Sequence, residues 1–216
     1  MDYAAARQHM IDSQVRTNKV TDSAVISAFA SVPRERFVAE AYRKLAYIDR
    51  PIPIGAGRRM PEPMVLARLL QSAQPKPGDS ALVVGAGTGY SAAVIARLVG
   101  RVVALESDAK LAADARAALA GFDVKNVTVV EGTLTAGRAA DAPYNLILID
   151  GSVEVVPEAL TAQLAEFGQL ATVVVDRGVG RGTLFLKADG VISQRAVFDA
   201  DAEPLPGFAA PQRFVF

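Results

Sequence analysis

The sequence predicts an α/β fold: a mostly parallel, seven-stranded sheet flanked by helices, closed by an antiparallel C-terminal hairpin and preceded by a helical extension. Three observations predict it. Apolar residues 81–84 lead into Gly85, Gly87 and Gly89, after which residues 90–98 have helical spacing, so a strand, a glycine turn and a helix follow one another. The next apolar run, Arg101-Val-Val-Ala-Leu-Glu106, ends in a carboxylate 19 residues after Gly87. Further strand and helix patterns then alternate until Asp189-Gly190, between two strand-like runs, signals a hairpin.

The glycine turn is where a ligand is expected. Glycines let the backbone turn sharply and approach a ligand where a Cβ would collide. A dinucleotide-binding turn has the spacing G-x-G-x-x-G, whereas this chain has G-x-G-x-G with Tyr90 where the last glycine would fall. A strand-end carboxylate such as Glu106 can accept hydrogen bonds from both hydroxyls of a ribose. Nicotinamide dinucleotides and S-adenosylmethionine both carry that ribose. The turn favours S-adenosylmethionine, which has no pyrophosphate needing a helix N-terminus. Gly85, Ala86, Gly87, Thr88, Gly89, Tyr90, Glu106 and Ser107 are the candidate donor-binding residues.

Composition narrows the classes. With 216 residues the chain is expected to form one domain, residues 1–75 supplying N-terminal helices and an acceptor-side loop and 76–216 the donor-binding core. Lys plus Arg and Asp plus Glu are both 23, a neutrality that gives no footprint for nucleic acid or an acidic membrane. The absence of cysteine excludes disulfides and thiolate metal sites and suits a cytoplasmic protein; no metal is expected. The opening Met-Asp-Tyr-Ala lacks the basic and apolar regions of a signal peptide, and charge interrupts every apolar run before it can span a bilayer.

Along the chain, residues 3–16 and 21–31 read as two helices. Thr21-Asp22 caps the second, and Val25, Ile26, Phe29 and Ala30 form its apolar face. Pro33 ends it, and Phe37 and Val38 pack back on the core. His9, the only histidine, reads as a surface or packing residue rather than a base. The prolines of Leu45-Ala-Tyr-Ile-Asp-Arg-Pro-Ile-Pro-Ile-Gly55 predict an extended surface loop, with a flexible bend at Gly55-Ala-Gly57 and a helix over 64–72 after Pro63. Asp108 caps a helix to residue 120 with Leu111, Ala115, Ala118 and Leu119 inward. Strands follow at 126–130, 144–149 and 169–175, with a helix over 157–167 before the last of them. Parallel β/α units closed by an antiparallel hairpin form the Rossmann-like arrangement of S-adenosylmethionine-dependent methyltransferases.

The same residues resemble the protein-L-isoaspartate O-methyltransferase family. The resemblance runs from Ser13-Gln-Val-Arg16 through Val32-Pro-Arg-Glu-Arg-Phe-Val38, the proline loop, Lys76-Pro-Gly-Asp79 and the glycine turn to Pro157-Glu-Ala-Leu160. It implies S-adenosylmethionine as methyl donor and the isoaspartyl carboxylate of damaged protein as acceptor, hence protein repair. It also implies that Gly85, Gly87, Gly89 and Glu106 hold the donor, whose product is S-adenosylhomocysteine.

Three departures bear on the acceptor. The family's Thr-Ile-Ser run, whose serine lies at the acceptor site, is Arg59-Met60-Pro61 here. Its Gly-Asp-Gly, which faces the adenine, is Glu131-Gly132-Thr133, so Glu131 would serve from a shifted position. Its Thr-Ala-Ala is Asp150-Gly151-Ser152. The stretches Pro204-Leu-Pro-Gly-Phe208 and Phe214-Val-Phe216 also match poorly. Arg58 and Arg59 are candidates to orient a carboxylate acceptor, against the alternative of a solvated charge pair. Asp150 would repel such an acceptor but serve a neutral one as general base; otherwise it caps the following turn. A different acceptor, a non-catalytic protein that binds donor or product, and a nicotinamide dehydrogenase stay open as alternatives.

Overall fold

The computed structural model describes residues 1–211. Asp2 caps α1 (Tyr3–Met10) by accepting the Ala5 amide, and a π turn over Ile11–Val15 replaces the second half of the expected helix. The Ser13 and Thr17 hydroxyls donate to the carbonyls of His9 and Ser13, side-chain bonds of the kind that loosen a helical ladder. Asp22 caps α2 (Ser23–Ser31), accepting from the Ala24 and Val25 amides. Its buried face is Val25, Ala28 and Phe29; Ala30, expected inward, is exposed. Phe37 and Val38 are buried as expected.

The proline stretch runs as an exposed bend only over residues 48–50. Its end forms β1 (Ile52–Gly55), paired antiparallel with β2 (Arg58–Met60) around a reversal in which Gly55, Ala56 and Gly57 all have positive φ. Proline is tolerated in a two-stranded ribbon, where Pro53 need not donate to a ladder. Pro63 then opens α3 (Pro63–Ala73). There follow β3 (Ser80–Val84), α4 (Tyr90–Ile95), β4 (Arg101–Glu106), α5 (Ala109–Ala120, capped by Asp108) and β5 (Val127–Glu131). The chain closes with β6 (Tyr144–Val153), α6 (Glu158–Thr161), β7 (Leu164–Asp176), β8 (Val179–Ala188) and β9 (Val191–Asp199).

The helix expected over 157–167 stops after one turn. The Gln163 side chain donates to the carbonyls of Ala136 and Ala159 and accepts the Arg138 amide, while its carbonyl accepts the Tyr144 amide. The chain is thereby pinned to the edge of β6, and Leu164 pairs with Tyr144 as β7 begins. β6 in turn outruns its expected end at 149, because residues 203–205 lie alongside it. The Ser152 amide donates to Glu203 O at 2.8 Å and the Leu205 amide to Ser152 O at 2.9 Å.

The large sheet has the order β5-β4-β3-β6-β7-β8-β9, with β5 through β7 parallel and β7-β8-β9 antiparallel. This is the seven-stranded sheet that the sequence predicts, hairpin included. Strand order reverses between β3 and β6, so a crevice opens at their carboxyl ends, where open α/β sheets take ligands. Alternation along the strands splits the core. Ala81 and Val83 face α3, α4 and the N-terminal helices, whereas Leu82 and Val84 face a second cluster. That second face receives little helix, and Leu205 and Phe208 of the C-terminal segment complete it. Phe214-Val-Phe216 lies outside the described residues. Among those described, no helix is long and apolar enough to cross a membrane.

Candidate active site

The site is built on the carboxyl edge of β3, β4 and β6. The Gly85 and Ala86 amides both donate to Leu105 O, which folds the glycine turn back onto β4. Glu106, fully buried, accepts the Gly87 amide on Oε2 at 2.7 Å and those of Ser107 and Asp108 on Oε1 at 2.8 and 3.1 Å. Thr88 donates its hydroxyl to Phe37 O, tying the turn to the N-terminal extension. Tyr90 begins α4 beneath the Arg34 guanidinium, which lies 4.7 Å from its ring centroid, and packs edge-on against Phe29 and Phe37. Its hydroxyl is buried without a hydrogen-bond partner among the described residues, and burial raises its pKa.

Arg58 reaches into this edge from β2. Only 8 % exposed, it donates from Nη2 to Gly85 O at 2.9 Å and places Nη1 3.5 Å from Glu106 Oε2. It is therefore no solvated charge. Ile54 of β1 and Leu205 close the same space. A Cβ on Gly87, at φ +55°, would come within 2.6 Å of Ile54 Cδ1. One on Gly85, at φ +74°, would meet Arg58 Nη2 and Leu205 Cδ2 at 3.0 Å. Glycine is thus required at both positions by conformation and by space. Gly151 on β6 touches the other side of Leu205, where an added Cβ would lie 2.7 Å from its Cγ. Beside Glu106 a recess of about 220 Å³ remains, lined by Ala56, Arg58, Glu106, Ser107, Asp108 and Pro206.

Asp150 sits inside β6, not on a following turn, and accepts the buried Ser91 hydroxyl at 2.6 Å. With Pro61, Leu66 and Gly151 it lines a small gap of about 10 Å³. Pro61, standing where the resemblance places a serine, is held there by Arg34. That arginine is 1 % exposed and donates to Pro61 O at 2.6 Å and Ala46 O at 2.8 Å. Burial raises the Asp150 carboxyl above the ordinary carboxylate range, although Ser91, Arg58 and Arg34 pull the other way.

A sign follows for stability. The unfolded Asp150 ionises at its ordinary value while the folded one keeps its proton to higher pH. Its stabilising contribution is therefore whole below the unfolded pKa and is lost as pH rises through the folded one. Denaturant unfolding of wild type is expected to show falling stability over that rise, and Asp150→Asn a flatter profile. Identical profiles would contradict the assignment.

The structure thus brings together the glycine turn, Glu106, Ser107, Arg58 and Asp150. Other candidates stand apart. Arg59 faces outward, its Nε 3.2 Å from Glu203 Oε1 and its Nη1 donating to Pro51 O, so it ties the β1–β2 hairpin to the C-terminal segment. Glu131, though level with Glu106 in the strand register, is exposed and pairs with Arg116 of α5 at 2.8 Å. Gly132 is exposed beside it and donates its amide to Glu106 O. His9 is exposed at the far N-terminus. Sequence reasoning did not single out Arg34, Ser91, Ile54 or Leu205 for the site. Arg34 stands within the run Val32–Val38, and for Ser91 a polar residue on the otherwise apolar buried face of a helix was the available signal. Among the described residues no group of three or more His, Cys, Asp or Glu is placed to hold a metal.

Comparison with known proteins identifies the family. Residues 5–200 match the family described as protein-L-isoaspartate(D-aspartate) O-methyltransferase. The protein-L-isoaspartate O-methyltransferase of Koribacter versatilis is 37 % identical over 205 residues, covering 95 % of this chain and 92 % of its own. That of Methanoregula boonei is 39 % identical over 184 residues, covering 85 % and 84 %. A solved protein-L-isoaspartate O-methyltransferase superposes with a TM-score of 0.83 at 25 % identity over 93 % of this chain, which spans 66 % of that one. A Plasmodium falciparum structure described as a putative enzyme of this kind in complex with S-adenosyl-L-homocysteine shares the fold, with a TM-score of 0.81 at 20 % identity over 95 % of this chain and 98 % of that one. The chain belongs to the protein-L-isoaspartate(D-aspartate) O-methyltransferase family.

Proposed function

We propose that this chain is an S-adenosylmethionine-dependent methyltransferase that esterifies the free carboxylate of L-isoaspartyl residues in damaged proteins and peptides, a protein-repair activity. The observation that carries the proposal is the family match over residues 5–200, joined to a strand-end carboxylate held in place by the amide of the glycine turn. Neutral net charge and the absence of cysteine agree with a cytoplasmic protein that needs neither nucleic acid nor membrane as partner.

The residues present fit an adenosyl donor. Gly85, Gly87 and Gly89 all take positive φ and leave three points of the turn without a Cβ, and Glu106 stands beside it, its lone pairs directed by three amides. When bound, the donor supplies an electrophilic methyl group on a sulfonium. Glu106 would take the ribose hydroxyls, and Gly85, Ala86, Gly87, Thr88 and Gly89 would form the wall on the donor's side, with Ser107 beside Glu106. Glu131 and Gly132, expected at the adenine end, do not line the recess beside Glu106, and Arg116 holds the Glu131 carboxylate aside.

A carboxylate acceptor is already nucleophilic, so what the protein contributes is orientation and exclusion of water. Arg58 supplies a planar fork that matches a carboxylate. Arg59 supplies positive potential at the rim. Burial favours the protonated form of Asp150, in which it would donate a hydrogen bond where Pro61 has removed a hydroxyl, while the Ser91 hydroxyl donates to Asp150 Oδ2.

Transfer to an isoaspartyl peptide by Asp150 variants tests this arrangement. Asparagine keeps a donor at that position, so Asp150→Asn is expected to retain most of the activity, whereas Asp150→Ala loses about tenfold, the loss of one hydrogen bond to a charged group. Equal loss in both would make Asp150 a general base acting on a neutral acceptor.

A further inference from the structure

We propose that Arg58 is the switch through which donor and acceptor binding are coupled: it closes the donor crevice by pairing with Glu106, and a bound donor releases it toward the acceptor. The acceptor half rests on the isoaspartyl reading above; the donor half does not.

The geometry of the crevice carries the argument. Glu106 is enclosed by five donors: on Oε1 the Ser107 and Asp108 amides with the Ser107 hydroxyl at 3.4 Å, and on Oε2 the Gly87 amide with Arg58 Nη1 at 3.5 Å. The amides belong to the local backbone and cannot leave without unfolding the turn. Arg58 can, at the cost of its one hydrogen bond to Gly85 O, because it arrives from β2, a three-residue strand of a separate ribbon. The Ser107 hydroxyl and Arg58 are thus the two partners that ribose hydroxyls can displace, and Arg58 is the one whose departure also opens space.

Space leads to the same conclusion. The recess beside Glu106 measures about 220 Å³. Pockets for ligands of this size run to about 300–1,000 Å³. The missing volume is filled by three side chains from two segments: Arg58 and Ile54 of the ribbon and Leu205 of the C-terminal segment, all in contact with the glycine turn. Those segments are joined to each other by the ion pair of Arg59 with Glu203, so ribbon and C-terminal segment form one cover.

Release has a destination. Of the ionisable groups beside Asp150, Arg58 is one of two cations; Arg34, the other, is committed to two carbonyls. Once displaced from Glu106, the Arg58 fork is the positive group left to turn toward the gap between Pro61 and Asp150, the side on which the isoaspartyl reading puts the acceptor. Donor binding thus creates the acceptor site, and the order is donor first.

The latch lowers apparent donor affinity by the fraction of molecules that are open. Calorimetric titration of S-adenosylhomocysteine into wild type and Arg58→Ala reads this without turnover. A closed form populated at about nine in ten makes the variant bind about tenfold tighter. Arg58→Gln, which keeps the length and loses the charge, is expected to behave alike and serves if alanine prevents folding. Unchanged or weaker binding in the folded variant overturns the latch. For coupling, an isoaspartyl peptide is titrated with and without saturating S-adenosylhomocysteine. Wild type is expected to bind it several-fold tighter with the nucleoside present, and Arg58→Ala equally in both cases. Equal peptide affinity in wild type overturns the coupling. Tighter nucleoside binding by the variant, with no peptide binding by either protein, leaves the donor latch standing and defeats the isoaspartyl reading alone.

Discussion

Replacing Glu106 with alanine is expected to weaken S-adenosylhomocysteine binding by about a hundredfold. Hydrogen bonds to a charged group are worth about 1.5–3 kcal/mol each. Loss of two ribose contacts therefore amounts to about 3 kcal/mol, and each 1.4 kcal/mol is a factor of ten. The change also strips the Gly87, Ser107 and Asp108 amides of their acceptor and leaves Arg58 buried beside no carboxylate. Thermal stability is expected to fall as well, so binding should be measured by calorimetry at a temperature where circular dichroism reports the variant folded. Affinity within threefold of wild type would remove Glu106 from the donor site.

The second large effect concerns Arg34. Its guanidinium is buried without a carboxylate in ion-pair distance among the described residues, and it is held by two carbonyls and the Tyr90 ring. Burial lowers its pKa, yet an arginine retains its proton under all ordinary conditions. Arg34→Met keeps most of the volume and removes the donors, which orphans the Ala46 and Pro61 carbonyls. At about 1–3 kcal/mol for each buried acceptor left without a partner, the loss is about 3 kcal/mol. For a chain of this length that corresponds to a drop of about 10 °C in melting temperature, at roughly 2–4 °C per kcal/mol. Because Pro61 lines the gap beside Asp150, a higher KM for the acceptor is expected alongside the lower melting temperature. A melting temperature within a degree or two of wild type would mean that Arg34 holds nothing together.

The parts of the fold legible in the sequence were those governed by short-range rules. β4 ends at Glu106 as the apolar run does, and Asp22 and Asp108 cap helices as their position before apolar patterns demands. Asp189 and Gly190 both take positive φ and turn β8 into β9. Failures occurred where distant segments decide. The helix pattern after Pro157 yields to the pairing of Leu164 with Tyr144, and the proline stretch becomes a ribbon because β2 is available to pair with it. Nothing local marks Leu205 as a plug between Gly85 and Gly151, since that contact joins residues far apart in the chain.

The same division runs through the candidate site. The glycine turn and Glu106 announce themselves by spacing, and the amide of Gly87 meets the Glu106 carboxylate 19 residues away. Arg58 and Arg59 were indistinguishable in sequence, yet adjacent residues of a strand point to opposite faces. One consequently lies against Glu106 and the other against Glu203. Glu131 is drawn off by Arg116, whose position on α5 no strand pattern reveals.

The central claim is methyl transfer to an isoaspartyl carboxylate by a site that has Pro61 where a serine is expected. The measurement that tests it most directly is transfer of labelled methyl from S-adenosylmethionine to an isoaspartyl peptide, with the isomeric aspartyl peptide as control. The account predicts label on the isoaspartyl peptide alone, and lost on mild base treatment as a carboxyl ester is. Equal labelling of both peptides, label that survives base, or no label on either would contradict it.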